Sequence, residues 1–184
     1  MRMAATYRRC AVLRNGAADA NFSAMHRGRI VMAEELSGIR DTMEAAGQRL
    51  VFTNGCFDLL HVGHVRYLQQ ARELGDALAV GLNSDRSVRE LKGEGRPVNR
   101  QEDRAEVLAA LGCVDYVVVF DGKRATDILR AVRPHIYAKG GDYTPESLDP
   151  VEREALGAGG AEIRILPLVP GRSTTNVLER MRSR

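Results

Sequence analysis

The stretch "NGCFDLLHVGH", Asn54–His64, gathers a glycine-bounded turn, an acid and two imidazoles immediately after an apolar run. His61 and His64 stand three residues apart with Gly63 between them. Three chemistries use such a set: a metal site, a phosphate site, or two histidines that cap or pack a helix start. On a helix, a spacing of three turns both rings toward one point. Gly63 removes a side chain between them and lets a ligand approach the backbone. Helix N-termini carry unpaired N–H groups and a positive dipole end, which attract phosphate. Two imidazoles added to those groups suit a phosphate whose charge grows during reaction. A metal would need a third ligand. Asp58 is at hand, but His26 and His135 lie far off in sequence, so no metal-ligand set is assigned. Capping or packing by both histidines is the competing account.

The surrounding pattern supplies the elements that would position this segment. "AEELSGIRDTMEAAG" reads as a helix, "RLVFTNG" as a buried strand, and "HVRYLQQARELG" as a helix with Val65, Leu68 and Ala71 on one side. "ALAVGLN", "YVVVF", "HIYAKG" and "AEIRILPL" read as four more strands. Between and after them, "RQEDRAEVLAALG", "ATDILRAV", "DPVEREALGAGG" and "STTNVLERMR" read as helices. Alternation of this kind predicts an α/β fold: a Rossmann-like parallel five-stranded sheet with helices on both faces. Ligands of such sheets bind at the carboxyl ends of the strands, where strand order reverses. The two-histidine segment leaves the first of the five strands there.

The 184 residues suit one domain with a sizeable core. Residues 31–184 carry the periodic pattern, and residues 1–30, which lack it, read as a disordered N-terminal tail. A formal charge of +3 without a basic block gives no footprint for nucleic acid. No apolar run approaches the roughly 20 residues of a membrane span or a signal-peptide core, so the expected location is the cytoplasm. Cys10, Cys56 and Cys113 match no zinc or disulfide spacing and read as reduced thiols.

Three further segments carry polar chemistry. In "GRSTTN", Ser173, Thr174 and Thr175 can cap the last helix. The same groups can cradle phosphates, with Gly171 allowing close approach and Arg172 adding charge. In "LKGEGRPVN", Lys92 is either an exposed loop lysine or a mobile cation that closes over phosphates. Arg96 and Arg104 can meet a second phosphate or pair with Glu102 and Asp103. "KGGDY" ends a strand at the ligand edge, where Lys139 and Asp142 can touch nucleotide or sugar or merely form a turn. Asp85 in "NSD" reads as a helix cap, with a weaker reading at the sugar site.

"GCFDLLHVGH" resembles the H-x-G-H signature of the nucleotidyltransferase superfamily. Within it, "VFTNGCFDLLHVGHVRYLQQARELGD", followed in order by "VGLNSDRSV", "LKGEGRPVN", "KGGDY" and "GRSTTN", is similar to the adenylyltransferases of ADP-heptose synthesis. The likeness runs from about Ile30 to the C-terminus. It implies transfer of AMP from ATP to D-glycero-β-D-manno-heptose 1-phosphate, by in-line attack on the α-phosphorus. His61, His64 and Lys92 would be catalytic. Cys56, Phe57, Gly63 and the Gly171–Thr175 segment would bind nucleotide. Asp85, Arg96, Arg104, Lys139 and Asp142 are weaker candidates for substrate. Mg²⁺ would accompany the triphosphate. A homo-oligomer such as a dimer, and a kinase on a separate chain supplying the sugar 1-phosphate, are the expected partners. Two other readings compete: a cytidylyltransferase acting on glycerol 3-phosphate or a similar phosphate, and a nucleotide-binding module without catalysis.

The tail makes the first testable expectation. Deleting residues 1–26 should leave the melting temperature and turnover nearly unchanged, because the segment has no periodic apolar face to bury. A large drop in melting temperature on deletion would show that it packs on the domain.

Overall fold

A computed structural model describes residues 28–141 and 147–167. In chain order the elements are β1 Arg29–Ile30, α1 Ala33–Ala45, β2 Leu50–Gly55, α2 Val62–Arg72, β3 Ala77–Asn83 and α3 Asp85–Lys92. They continue with α4 Gln101–Ala109, β4 Tyr116–Phe120, α5 Thr126–Val132, β5 Ile136–Gly140, α6 Pro150–Ala158 and β6 Glu162–Leu166. The strands form one parallel sheet in the order β1-β4-β3-β2-β5-β6. The expected five strands are all present, and β1 is a sixth. Arg29 and Ile30 pair with Tyr116 and Val117, so the sheet begins inside the stretch read as tail. The expected closing helix lies outside the described residues.

Strand alternation sorts the side chains onto two faces. Leu50 and Phe52 of β2 join a core with Leu36 and Met43 of α1, Ile128 and Leu129 of α5, and Ala155 and Leu156 of α6. Val51 joins the opposite core with Tyr67, Leu68 and Ala71 of α2 and Leu108 of α4. With helices on both faces, the central strand β3 is buried along its whole length, which explains its unbroken apolar reading. At Gly81 a side chain would drive a Cβ to 2.6 Å from the Phe52 ring, so the sheet's largest β2 side chain depends on a glycine in β3.

Strand order reverses at β2, which has β3 on one side and β5 on the other. The β2–β3 register runs over six pairs, Leu50↔Ala77 to Gly55↔Leu82. The β2–β5 register has only Val51↔Ile136 and Phe52↔Tyr137. Beyond Phe52 and Tyr137 the two strands no longer pair, at the carboxyl ends where a sheet of this kind has its ligand crevice.

A buried ionic network pins the chain around that crevice. Asp58, in the β2–α2 segment, accepts from Arg96 Nη1 at 2.5 Å and from the Val98 N–H at 2.6 Å. The Asp58 carbonyl accepts from Asn99 Nδ2 at 3.2 Å. Arg104, on α4, donates to the Asn99 carbonyl at 3.0 Å, the Cys56 carbonyl at 2.6 Å and Asp85 Oδ1 at 2.8 Å. The α3–α4 loop is thus tied to the turn that follows β2. Arg104→Met should cost about 2–4 kcal/mol in urea unfolding, because it strands two carbonyls and the Asp85 carboxylate. A loss below about 1 kcal/mol would show that the turn holds without this arginine.

Candidate active site

The two histidines sit where β2 hands over to α2. β2 ends at Gly55, as the "RLVFTNG" reading has it, and α2 begins at Val62. His61 is the N-cap: its extended backbone ends the turn, and its Nδ1 accepts from the Gly63 N–H at 3.1 Å. One part of the capping account therefore holds. It also fixes the ring's tautomer, because a neutral imidazole that accepts at Nδ1 carries its proton at Nε2. His64 lies one turn into the helix. The two rings stack with centroids 3.9 Å apart and planes 21° apart. Phe57 meets the His64 ring edge-on at 5.3 Å. Phe57 reaches this place through a left-handed backbone, φ 41°, which costs energy in a residue other than glycine.

His64 is held neutral. Burial, the neighbouring His61 and the charge of Lys92 together lower its pKa to about 4. Its Nδ1 is buried and has no hydrogen-bond partner among the described residues. A buried ring nitrogen without a partner costs about 1–3 kcal/mol, a cost that a ligand can relieve. Gly63, between the two histidines in sequence, is buried.

Lys92 is the last residue of α3 and is exposed. Its charge acts on both His64 and the Cys56 thiol, so it faces the site without being locked into it. Gly93 and Gly95 follow with φ of 88° and 80°, a left-handed path that glycine takes without strain. Cys56 is half-buried, and burial pushes its thiol above the ordinary range. Its carbonyl is occupied by Arg104.

Three substrate candidates are framework residues in the structure. Arg104 does not pair with Glu102 or Asp103; it is buried and reaches Asp85 and two carbonyls. Arg96 pairs with the fully buried carboxylate of Asp58 instead of those acids. Asp85 does not cap α3: Ser84 does, accepting from the Ser87 N–H at 3.2 Å, while Asp85 holds Arg104. Asp142 and the Gly171–Thr175 segment lie outside the described residues. No group of three or more His, Cys, Asp or Glu among the described residues is arranged to hold a metal ion. No helix among them is long and apolar enough to cross a membrane. The cavity of about 330 Å³ that Phe57, Asp58, Leu60, Asn99, Asp103, Arg104 and Val107 enclose includes neither histidine nor Lys92 in its lining.

Lys139 stands at the other side of the crevice. Its Nζ donates to Asn54 Oδ1 at 3.2 Å and to Tyr137 Oη at 3.1 Å, and Tyr137 Oη donates to the same Asn54 oxygen at 2.6 Å. Burial pulls the ammonium below the ordinary lysine range, against the opposing pull of Glu152 and Cys56. On the α2 face, Tyr67 Oη donates to the Ala138 carbonyl at 3.0 Å and lies 2.7 Å from Thr53 Oγ1. Each hydroxyl has one proton, so Thr53 donates to Tyr67. Asn54, Tyr137, Thr53 and Tyr67 were not singled out from sequence. Their signal is position alone: Thr53 and Asn54 lie toward the carboxyl end of β2, Tyr137 on the neighbouring β5 and Tyr67 on α2.

Against known proteins, residues 52–164 match the family model described as cytidylyltransferase-like. The "Bifunctional protein HldE" of Pelobacter propionicus is 53% identical over 149 residues, 81% of this chain and 30% of that protein. That of Geobacter sulfurreducens is 53% identical over 146 residues, 79% of this chain and 29% of that protein. The chain therefore spans about three-tenths of the length of these relatives. A lipopolysaccharide core biosynthesis protein from Thermoplasma volcanium superposes with a TM-score of 0.55 at 27% identity, covering 67% of this chain and 98% of that one. Pantothenate synthetase from Thermus thermophilus, at 15% identity and a TM-score of 0.56 over 81% of this chain and 67% of its own, shares the fold. A parallel sheet with its order reversal at β2, a two-histidine helix start at that reversal, and a family model spanning both place the chain in the cytidylyltransferase-like family.

Proposed function

We propose that the chain transfers AMP from ATP to D-glycero-β-D-manno-heptose 1-phosphate, giving ADP-heptose and pyrophosphate. The observation that carries this reading is the stacked His61–His64 pair at the N-terminus of α2, set at the reversal of strand order. The choice of ATP and a heptose phosphate is supported by the likeness to the HldE proteins and rests on no contact in the structure.

The reaction needs little covalent help. A phosphate oxygen of the sugar 1-phosphate is already deprotonated near neutral pH and forms the new bond to the α-phosphorus. The bond from that phosphorus to the bridging oxygen breaks, and pyrophosphate leaves with the electron pair. No general base is required, so catalysis is positioning and charge stabilisation. His61 offers a proton at Nε2 because Nδ1 is committed to Gly63. His64 is neutral without ligand, and the negative charge of a triphosphate favours its protonated form. The pair thus meets the charge when the substrate brings it. Lys92 supplies a cation from the end of α3, and the Gly171–Thr175 segment a second phosphate cradle. Mg²⁺ would be carried by phosphate oxygens and water, neutralising charge on the triphosphate. The described residues fit that arrangement, since Asp58 is already spent on Arg96 and Val98.

His61→Ala and His64→Ala should each slow turnover by about 10²–10³-fold while ATP affinity falls much less. Near-normal turnover in either variant would leave capping and packing as the role of that residue.

Base and acceptor are tested together. kcat/KM for ATP with heptose 1-phosphate should exceed that for CTP with glycerol 3-phosphate. The reverse order would keep the histidine roles and discard the substrate pair. Absence of pyrophosphate release with every pair would favour a binding module without catalysis.

A further inference from the structure

We propose that Asn54 is a substrate-contact residue, aimed by Lys139 and Tyr137, whose side-chain amide donates to the phosphate of the acceptor. The inference rests on the nucleotidyl-transfer reading and adds to it the side from which the acceptor enters.

The orientation of Asn54 follows from donor counting. An ammonium has donors only, so the Asn54 atom that faces Lys139 Nζ at 3.2 Å is the oxygen. The same oxygen takes the Tyr137 hydroxyl at 2.6 Å, and that hydroxyl in turn accepts from Lys139 at 3.1 Å. Three bonds close a cycle, and Asn54 Nδ2 must face away from it. That Nδ2 has no hydrogen-bond partner among the described residues, and Asn54 is only half-buried. The cycle exists because β2 and β5 part after Phe52↔Tyr137, which leaves Asn54 and Lys139 to bridge the gap with side chains.

The face follows from strand alternation. Thr53 turns toward α2, where it meets Tyr67. Asn54, the next residue, turns the other way, toward the core that Tyr137 shares with α1, α5 and α6. The histidine pair belongs to α2. In-line displacement places the attacking oxygen and the leaving pyrophosphate on opposite sides of the α-phosphorus. With the pyrophosphate drawn to the α2 N-terminus, the attacking phosphate arrives from the Asn54 side. There it meets an amide donor and the positive field of Lys139.

Initial rates of pyrophosphate release, with each substrate varied in turn, test the assignment on Asn54→Asp and Asn54→Ala. Asn54→Asp keeps an oxygen for Lys139 and Tyr137, loses the donor and adds a negative charge that faces the Lys139 ammonium, so it should still fold; Asn54→Ala removes the donor without adding charge. Both variants should raise KM for the sugar 1-phosphate by about tenfold or more, the loss expected for a hydrogen bond to a charged oxygen. KM for ATP should stay within about threefold, well below that loss. An unchanged acceptor KM in Asn54→Asp, or an equal rise in the KM for ATP, would overturn the proposal. If the wild type prefers another phosphate acceptor, the sugar reading fails, and the same comparison on that acceptor still decides Asn54. Calorimetric titration of inorganic phosphate, with pyrophosphate saturating the α2 side, needs no turnover. Weaker phosphate binding in Asn54→Asp supports the contact, and equal binding refutes it.

Discussion

The early parting of β2 from β5 is the constraint on which the site depends. Two parallel strands that pair for two residues and then separate leave backbone groups without a ladder partner. Buried carbonyls in that state cost about 1–3 kcal/mol each. For the Ala138 carbonyl the chain meets this cost from the α2 face. Tyr67, anchored by Thr53, covers the Ala138 carbonyl from the α2 side. Asn54, Tyr137 and Lys139 close the gap from the other side. The crevice can therefore stay open at its carboxyl end, which is where an α/β sheet receives ligands.

Charge in the site is arranged with the same economy. The buried acids and arginines closest to the turn pair with one another: Asp58 with Arg96, Asp85 with Arg104. Those pairs hold the turn after β2 in place without adding net charge to it. The groups facing the crevice include an exposed lysine at the end of α3, a half-buried lysine held by an amide and a phenol, and a neutral histidine. Two protonated imidazoles stacked at 3.9 Å would repel each other, and burial adds to that penalty. A site with few fixed charges loses less to self-repulsion.

Much of this was legible in the sequence because it rests on short-range patterns. All five expected strands and the helices between them appear, since apolar runs bounded by turn residues survive tertiary packing. Asp58, weighed from sequence as a third metal ligand, instead fixes its loop through Arg96 and the Val98 N–H. β1 escaped notice because two residues, Arg29 and Ile30, are too few to show a period. Ser84 and Asp85 are adjacent and both of capping type, so sequence could not choose between them; Gln101 and Arg104, far along the chain, decide it by holding Asp85. Arg104 sits among nearby acids, and its actual partners are set by how α4 packs over the turn. Pairing across such distances has no signature in one sequence.

Asn54 shows the other kind of blindness. In "RLVFTNG" it reads only as the polar end of a buried strand, with nothing to say what its side chain meets. The structure makes it part of β2, with Gly55 still paired to Leu82 of β3. A polar residue at the end of a buried central strand has to be satisfied, and its satisfaction fixes its direction. Lys139 and Tyr137 are two residues apart on β5, so alternation puts them on one face, opposite a residue of β2 that shares that face. Register and alternation together thus turn three scattered polar residues into one oriented donor. The strand order that creates the crevice also selects the residues that line it.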